Sequence, residues 1–138
     1  MSRSSVMAPG AAAIGPYSHG VFTGNSFDGL LFLSGQTAID PVTGKLVDGT
    51  IGAQTSQCFR NLGAVLDAAG LSFGDVVKCN VFLTDMNDFA AMNELYSHEF
   101  QQPYPARTTI GVASLPLGAK IEIEMIACDS QEPREQTR

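Results

Sequence analysis

Strict alternation of apolar and polar residues predicts a strand near the end of the chain, over residues 119–128. Apolar side chains occupy positions 121, 123, 125 and 127, and the even positions carry Glu122, Glu124, Ile126 and Cys128. A period of two places the two glutamates on one face of a sheet. That face is of mixed polarity, so we expect another subunit to cover it. A short Leu-Pro turn joins it to an apolar run at 107–113, which predicts a strand pair.

Helical spacing predicts two helices. Apolar residues at 51, 58, 62, 65, 66 and 69 recur at helical spacing between Thr50, a good N-cap, and Gly70, a natural stop. A second helix follows Met86–Asp88, and prolines 103 and 105 end it. Its apolar stripe is typical of core packing. The stripe comprises Phe89, Met92, Leu95, Tyr96 and Phe100.

The remaining apolar runs predict an α+β fold in one domain, residues 1–138. Segments 21–23 and 30–34 flank a Gly, Asn and Asp turn and indicate a hairpin. A strand after Asp75 would be reached from the hairpin by a right-handed crossover through the first helix. We therefore expect a mixed sheet with two helices on one face and a partner on the other. Residues 1–10 and 129–138 should be flexible.

Composition narrows the function classes. The net charge is −6 with a pI near 4.6, and the eight Lys and Arg are scattered, so nucleic acid is not the expected partner. No signal peptide or membrane span is evident, which predicts a cytoplasmic protein without membrane contact. Cys58, Cys79 and Cys128 are far apart in the sequence. We therefore expect each to be a small buried hydrophobic side chain, and we expect neither a disulfide framework nor a metal site.

Arg107 is the first candidate for chemistry. Pro105 favours extended backbone around it, and its guanidinium can bind a planar anion bidentately. Glu122 would supply a carboxylate on the neighbouring strand. Spacing alone leaves an alternative open, in which Glu122 and Glu124 are solvated strand residues and Arg107 is a surface ion-pair partner.

Four segments carry a resemblance to a known family over residues 12–128. They are IGPYSHGV at 14–21, LFLSGQTAIDPVTGKLV at 31–47, GDVVKCNVFLTDMNDFAAMN at 74–93 and RTTIGVASLPLGAKIEIEMIAC at 107–128. Together they resemble the RidA/YjgF family, close to its deaminase members. The resemblance implies a chorismate-mutase-like α+β fold and a homotrimer with a central barrel. Active sites would lie in clefts between subunits.

The resemblance also implies an activity and a set of site residues. RidA-like deaminases hydrolyse 2-imino acids, such as 2-iminopropanoate and 2-iminobutanoate, and their enamine tautomers, to 2-oxo acids and ammonium. No metal or organic cofactor is implied. The matching positions are Arg107 and Glu122 as catalytic residues, and Tyr17, Ser34, Asn93, Arg107 and Thr109 as substrate-binding residues.

Two positions depart from the family pattern, and two alternatives remain. Some deaminases carry cysteine where this chain has Thr109, and Gly111 lacks a larger polar side chain often found there, which affects substrate preference more than activity. His19 is not assigned a catalytic role.

The alternatives are a non-catalytic trimer that binds small carboxylates and regulates partners, and an endoribonuclease or translation inhibitor.

Overall fold

The computed structural model describes residues 3–10, 15–23 and 28–130 of the chain. Within these ranges the main elements are six strands and two α-helices, linked by loops and short 3-10 turns. In chain order they are β1 (Arg3–Val6), β2 (Gly20–Thr23), β3 (Asp28–Gln36), α1 (Ile51–Ala68), β4 (Val76–Leu83), α2 (Phe89–Glu99), β5 (Ala106–Gly111) and β6 (Ile121–Ser130).

The strands form one mixed sheet in the order β1-β2-β3-β6-β4-β5. β4 and β5 are parallel neighbours joined through α2, and the other neighbouring pairs are antiparallel. The α+β class and the mixed sheet are confirmed. The predicted pairing of the last two strands is wrong, because β4 lies between β5 and β6 and hydrogen-bonds to both.

The first helix begins and ends where its sequence signals predict. Thr50 caps α1, with its Oγ1 accepting a hydrogen bond from the Ala53 amide at 3.2 Å. Gly70 follows α1 with φ of 76°, the left-handed conformation that glycine adopts without cost. The second helix ends at Glu99, several residues before the prolines that were expected to stop it. Neither helix has the length and apolarity needed to cross a bilayer.

The core lies between the helices and one face of the sheet. Positions 121, 123, 125 and 127 of β6 are all buried on the side that faces α1, as their alternation predicted. Full burial of an Ile or Met side chain contributes roughly 1.5–3 kcal/mol. The opposite face is not covered in the protomer, where Phe32 and Ile110 are 44% and 45% exposed.

Parts of both segments that were expected to be flexible belong to the sheet. Arg3–Val6 pairs with β2 as an edge strand. His19 anchors this end, because its Nδ1 accepts a hydrogen bond from the Ala8 amide at 2.9 Å. Asp129 and Ser130 still belong to β6. The rest of the predicted tail, 131–138, and the hairpin loop, 24–27, lie outside the described residues.

Gln54 ties two loops to α1. Its side chain is 3% exposed, its Nε2 donates to the Val47 carbonyl at 3.1 Å, and its Oε1 accepts from the Lys120 amide at 2.9 Å. The second bond fixes the approach to β6, which carries Glu122. A buried side chain with both polar ends paired is costly to replace.

Gln54→Leu should therefore lower the free energy of unfolding by about 2 kcal/mol, because it leaves two backbone groups without partners. Urea unfolding followed by circular dichroism measures this loss. The matched control is Gln101→Leu at an exposed position, which should change the stability by less than about 0.5 kcal/mol. Equal free energies of unfolding for the two variants would show that the two hydrogen bonds of Gln54 do not stabilise the fold.

Candidate active site

Arg107 lies on the helix side of the edge strand β5. It is opposite Cys79 in the parallel register with β4, and Cys79 is fully buried under the helices, so the two side chains share a face. The Arg107 Nη1 donates a hydrogen bond to Asn93 Oδ1 on α2 at 2.7 Å. The structure thus brings together two of the predicted site residues.

Two aromatic rings of α2 lie close to the guanidinium. Its carbon lies 4.6 Å from the Tyr96 ring centroid and 5.6 Å from that of Phe89, within cation–π range. Phe89, Asn93 and Tyr96 are spaced i, i+4 and i+7, so one stripe of the helix provides every contact described here. Sequence reasoning assigned the two aromatics to the core. Of this stripe only Asn93 was expected in the site, and its spacing from Phe89 and Tyr96 is the signal that could have added the two aromatics.

The groups beneath Arg107 carry no charge at neutral pH. Burial raises the pKa of the Cys79 thiol to about 11, although Tyr96, Arg107 and Lys78 lower it in part. Burial and the neighbouring Cys79 raise the pKa of the Tyr96 hydroxyl above its usual range. Neither Cys79 nor Tyr96 therefore places a negative charge beside the guanidinium at neutral pH. We call Phe89, Asn93, Tyr96 and Arg107 the arginine cluster.

Thr109 continues the same face of β5, two residues beyond Arg107 and opposite Val81. Its Oγ1 is buried and has no hydrogen-bond partner. The hydroxyl therefore points into the protein, and an approaching ligand could reach the backbone of this residue more readily than its side chain.

Glu122 lies on the opposite, uncovered face of the sheet, paired with Phe82 of β4. Burial, and in second place the charge of Glu124, raise the pKa of its carboxyl group. Glu124 itself accepts a hydrogen bond from Asn80 Nδ2 at 2.9 Å. A carboxyl group whose pKa is raised in this way is suited to act as a general base.

Ser34 and Tyr17 lie at the same end of the sheet as Glu122. The Ser34 Oγ donates to the Ser18 carbonyl at 2.6 Å, which holds the segment that begins at Tyr17 against β3. Tyr17 is 44% exposed. Gly35, next to Ser34, directly contacts the Glu122 side chain. We call Tyr17, Ser34, Gly35 and Glu122 the glutamate cluster.

The two clusters are separate within one protomer. Glu122 and Arg107 lie on opposite faces of the sheet, two strands and three residues apart, so their backbones are separated by roughly 14 Å. One protomer therefore holds two half-sites, one that can bind an anion and one that can act as a base. Across residues 3–10, 15–23 and 28–130, no three His, Cys, Asp or Glu side chains are grouped as metal ligands would be.

Known proteins share this fold and much of the sequence. Residues 7–129 match the family model described as Endoribonuclease L-PSP. A RutC family protein from Pyrococcus horikoshii is 50% identical over 83% of this chain and 87% of its own, and a mouse 2-iminobutanoate/2-iminopropanoate deaminase is 47% identical over 90% and 87%. The crystal structure of RidA from the Antarctic bacterium Psychrobacter sp. superposes with a TM-score of 0.83 and 44% identity, covering 91% of this chain and 98% of that one. The chain therefore belongs to the endoribonuclease L-PSP (RidA/YjgF) family.

Proposed function

We propose that the protein hydrolyses 2-imino acids, and their enamine tautomers, to 2-oxo acids and ammonium at sites between the subunits of a homotrimer. The observation that carries the proposal is the pair of half-sites with complementary chemistry, a guanidinium held by a neutral amide and a carboxyl group with a raised pKa. Relatives named as 2-iminobutanoate/2-iminopropanoate deaminases, at 44–47% identity, support the same activity.

The arginine cluster provides the anchor for the substrate carboxylate. Asn93 accepts one N–H of the guanidinium, and the two rings lie within cation–π distance of it, so the remaining N–H groups can bind both oxygens of a carboxylate. The backbone of Thr109 lines the same strand edge. This arrangement favours small planar anions, and a 2-imino acid is one.

The glutamate cluster provides the base. Glu122 takes a proton from a water molecule whose oxygen attacks C2 of the imine, and the C=N bond becomes a C–N single bond. The imine enters protonated on nitrogen, so the proton taken from water converts the amino group of the adduct to –NH3+. The C–N bond then breaks, the C2 hydroxyl loses its proton as the carbonyl forms, and the released ammonia takes up that proton as ammonium. Ser34 and Tyr17 add hydroxyl groups that can hold the water or the nitrogen.

The uncovered sheet face supports a site between subunits. Phe32 and Ile110 are large apolar residues left exposed there, and Glu122 lies on the same face. Packing this face against another subunit would bury apolar area and would remove water from the glutamate cluster. An arginine cluster at the edge of a neighbouring subunit could then face it.

A coupled assay tests the activity. A pyridoxal-phosphate dehydratase acting on threonine or serine releases 2-iminobutanoate or 2-iminopropanoate, and the protein should increase the rate of 2-oxo acid formation above that in buffer. A rate equal to that in buffer with both substrates, at concentrations where the protein is oligomeric, would refute the proposed function.

The activity should fall as the pH is lowered through the raised pKa of Glu122, because only the ionised carboxylate can take a proton. Replacing Glu124 by Gln removes a like charge, so the acid limb of the kcat profile should move to lower pH. Glu94→Gln, at an exposed position of α2, is the control and should leave the limb in place. Identical limbs in all three proteins would assign the titration to another group, such as the substrate imine.

The family description also raises ribonuclease activity. The net charge of −6 disfavours phosphate-backbone binding, which depends on clustered Lys and Arg. Incubation with single-stranded RNA at low salt should therefore produce no cleavage.

A regulatory binding protein is the other alternative. Binding of 2-oxobutanoate in calorimetry without imine turnover would support it.

A further inference from the structure

A bulge in β3 lies beside the proposed base. Between the pairs Leu33–Met125 and Gln36–Ile123, β3 advances three residues and β6 advances two. The extra residue places Ser34 and Gly35 outside the regular ladder. Within this bulge, Gly35 lies against the side chain of Glu122.

The Glu122 carboxyl group occupies the space where a side chain at position 35 would lie. A Cβ built on Gly35 would be 2.9 Å from the Glu122 Cδ and 3.2 Å from its Cγ, and would overlap Oε2. Distances below 3.0 Å are essentially never seen for a Cβ. Gly35 does not have a positive φ, so the backbone conformation does not require glycine here. The space for the carboxyl group does.

The backbone at the bulge is held from the helix side and cannot easily retreat. The Cys58 thiol donates to the Gln36 carbonyl at 3.2 Å. The Asn61 Nδ2 donates to the carbonyls of Thr37 at 3.2 Å and Ile39 at 2.8 Å. A methyl group added at position 35 would therefore displace Glu122 more readily than the strand.

We propose that Gly35 is a positioning residue for the reaction, because its missing side chain leaves the space that the Glu122 carboxylate occupies. We call this space the seat. This inference rests on the proposed function, since it assigns a role to Glu122 as the base. The seat acts on the base alone, because the anion-binding guanidinium belongs to the other cluster. Gly35 should therefore influence turnover and not the binding of the substrate carboxylate.

Gly35→Ala should lower kcat for 2-iminobutanoate by about 100-fold, the size of loss expected when a catalytic group is displaced by about 1 Å. The Kd of the inert anion 2-oxobutanoate, measured by calorimetry, should change less than about twofold. Gly52→Ala is the matched control, because its Cβ would lie at ordinary contact distances of 3.5 and 3.6 Å from Thr50 and Leu95. It should leave kcat unchanged.

A double-mutant cycle with Glu122→Ala separates positioning from a general structural role. In that background the carboxyl group is absent, so Gly35→Ala should lower neither the residual kcat nor the urea midpoint, although it lowers both in the otherwise native chain. Additive effects on kcat or on the midpoint, or an unchanged kcat for Gly35→Ala alone, would overturn the proposal.

The stability cycle does not depend on activity. If the native protein hydrolyses no imine, the proposed function fails, and the role assigned to Gly35 in the reaction fails with it. The urea midpoints would then still decide whether Gly35 seats Glu122. If the native protein is active but the two cycles are additive, only the positioning role is refuted.

Discussion

Mixing two inactive variants, Arg107→Ala and Glu122→Gln, should restore imine hydrolysis. Each substitution alone removes one half-site from every subunit, and loss of a general base costs roughly 10²–10⁴-fold in rate. The two half-sites lie on opposite faces of the sheet in one protomer. If a working site takes its arginine from one subunit and its glutamate from the next, mixed assemblies contain some sites with both native groups.

The expected size of the recovery follows from symmetry. Each site takes Arg107 from one subunit and Glu122 from the next. With equal amounts of the two variants and random assembly, the arginine is native in about half of the sites, and the glutamate is independently native in about half. About one quarter of the sites in a closed ring should therefore be native, and the specific activity should approach that fraction of the native value. The samples are unfolded together in urea and refolded, and native mass spectrometry verifies that the subunits have mixed.

The control mixes Arg107→Ala with the double variant Arg107→Ala/Glu122→Gln. Every subunit in this mixture lacks the arginine, so no activity should return. An inactive mixture of the two single variants, with exchange of subunits verified, would mean that both groups act in one subunit. That result would contradict the intersubunit site.

The elements of this fold were largely predictable from local patterns, but their arrangement was not. The alternation at positions 121–127 is a local property and correctly predicted the buried face of β6. The order of strands is a non-local property. The short turn after β5 suggested a hairpin with β6, whereas β4 inserts between them because α2 returns the chain parallel to β4.

In the candidate site, too, the local patterns were predictable from the sequence and the spatial arrangement was not. The spacing of Phe89, Asn93 and Tyr96 was visible in the sequence, but only the register of β5 with β4 places Arg107 against that stripe. The seat at Gly35 was hidden for another reason. It depends on a bulge that shifts β3 by one residue relative to β6, and nothing in the sequence of β3 alone specifies which side chain fills the space.

Arg107→Lys should reduce kcat/KM for 2-iminobutanoate by roughly 10- to 100-fold, although it keeps the positive charge. An ammonium group cannot donate to Asn93 and also present two parallel N–H groups to a carboxylate. The loss corresponds to about one charge-assisted hydrogen bond, roughly 1.5–3 kcal/mol. Calorimetry with 2-oxobutanoate should show a weakening of the same order, because the anchor binds the ground state as well as the transition state.

Arg60→Lys is the matched control for this prediction. Arg60 is an exposed arginine of α1 whose Nη2 donates to Gln57 Oε1 at 3.0 Å, so it also has one amide partner, but it lies outside both clusters. Its replacement should leave kcat/KM within about twofold, since exposed substitutions have small effects. If Arg107→Lys also stayed within that range, a point charge would be sufficient at position 107. The rings of Phe89 and Tyr96 would then contribute only packing at this position. The planar geometry of the guanidinium could not be the basis of anion selection.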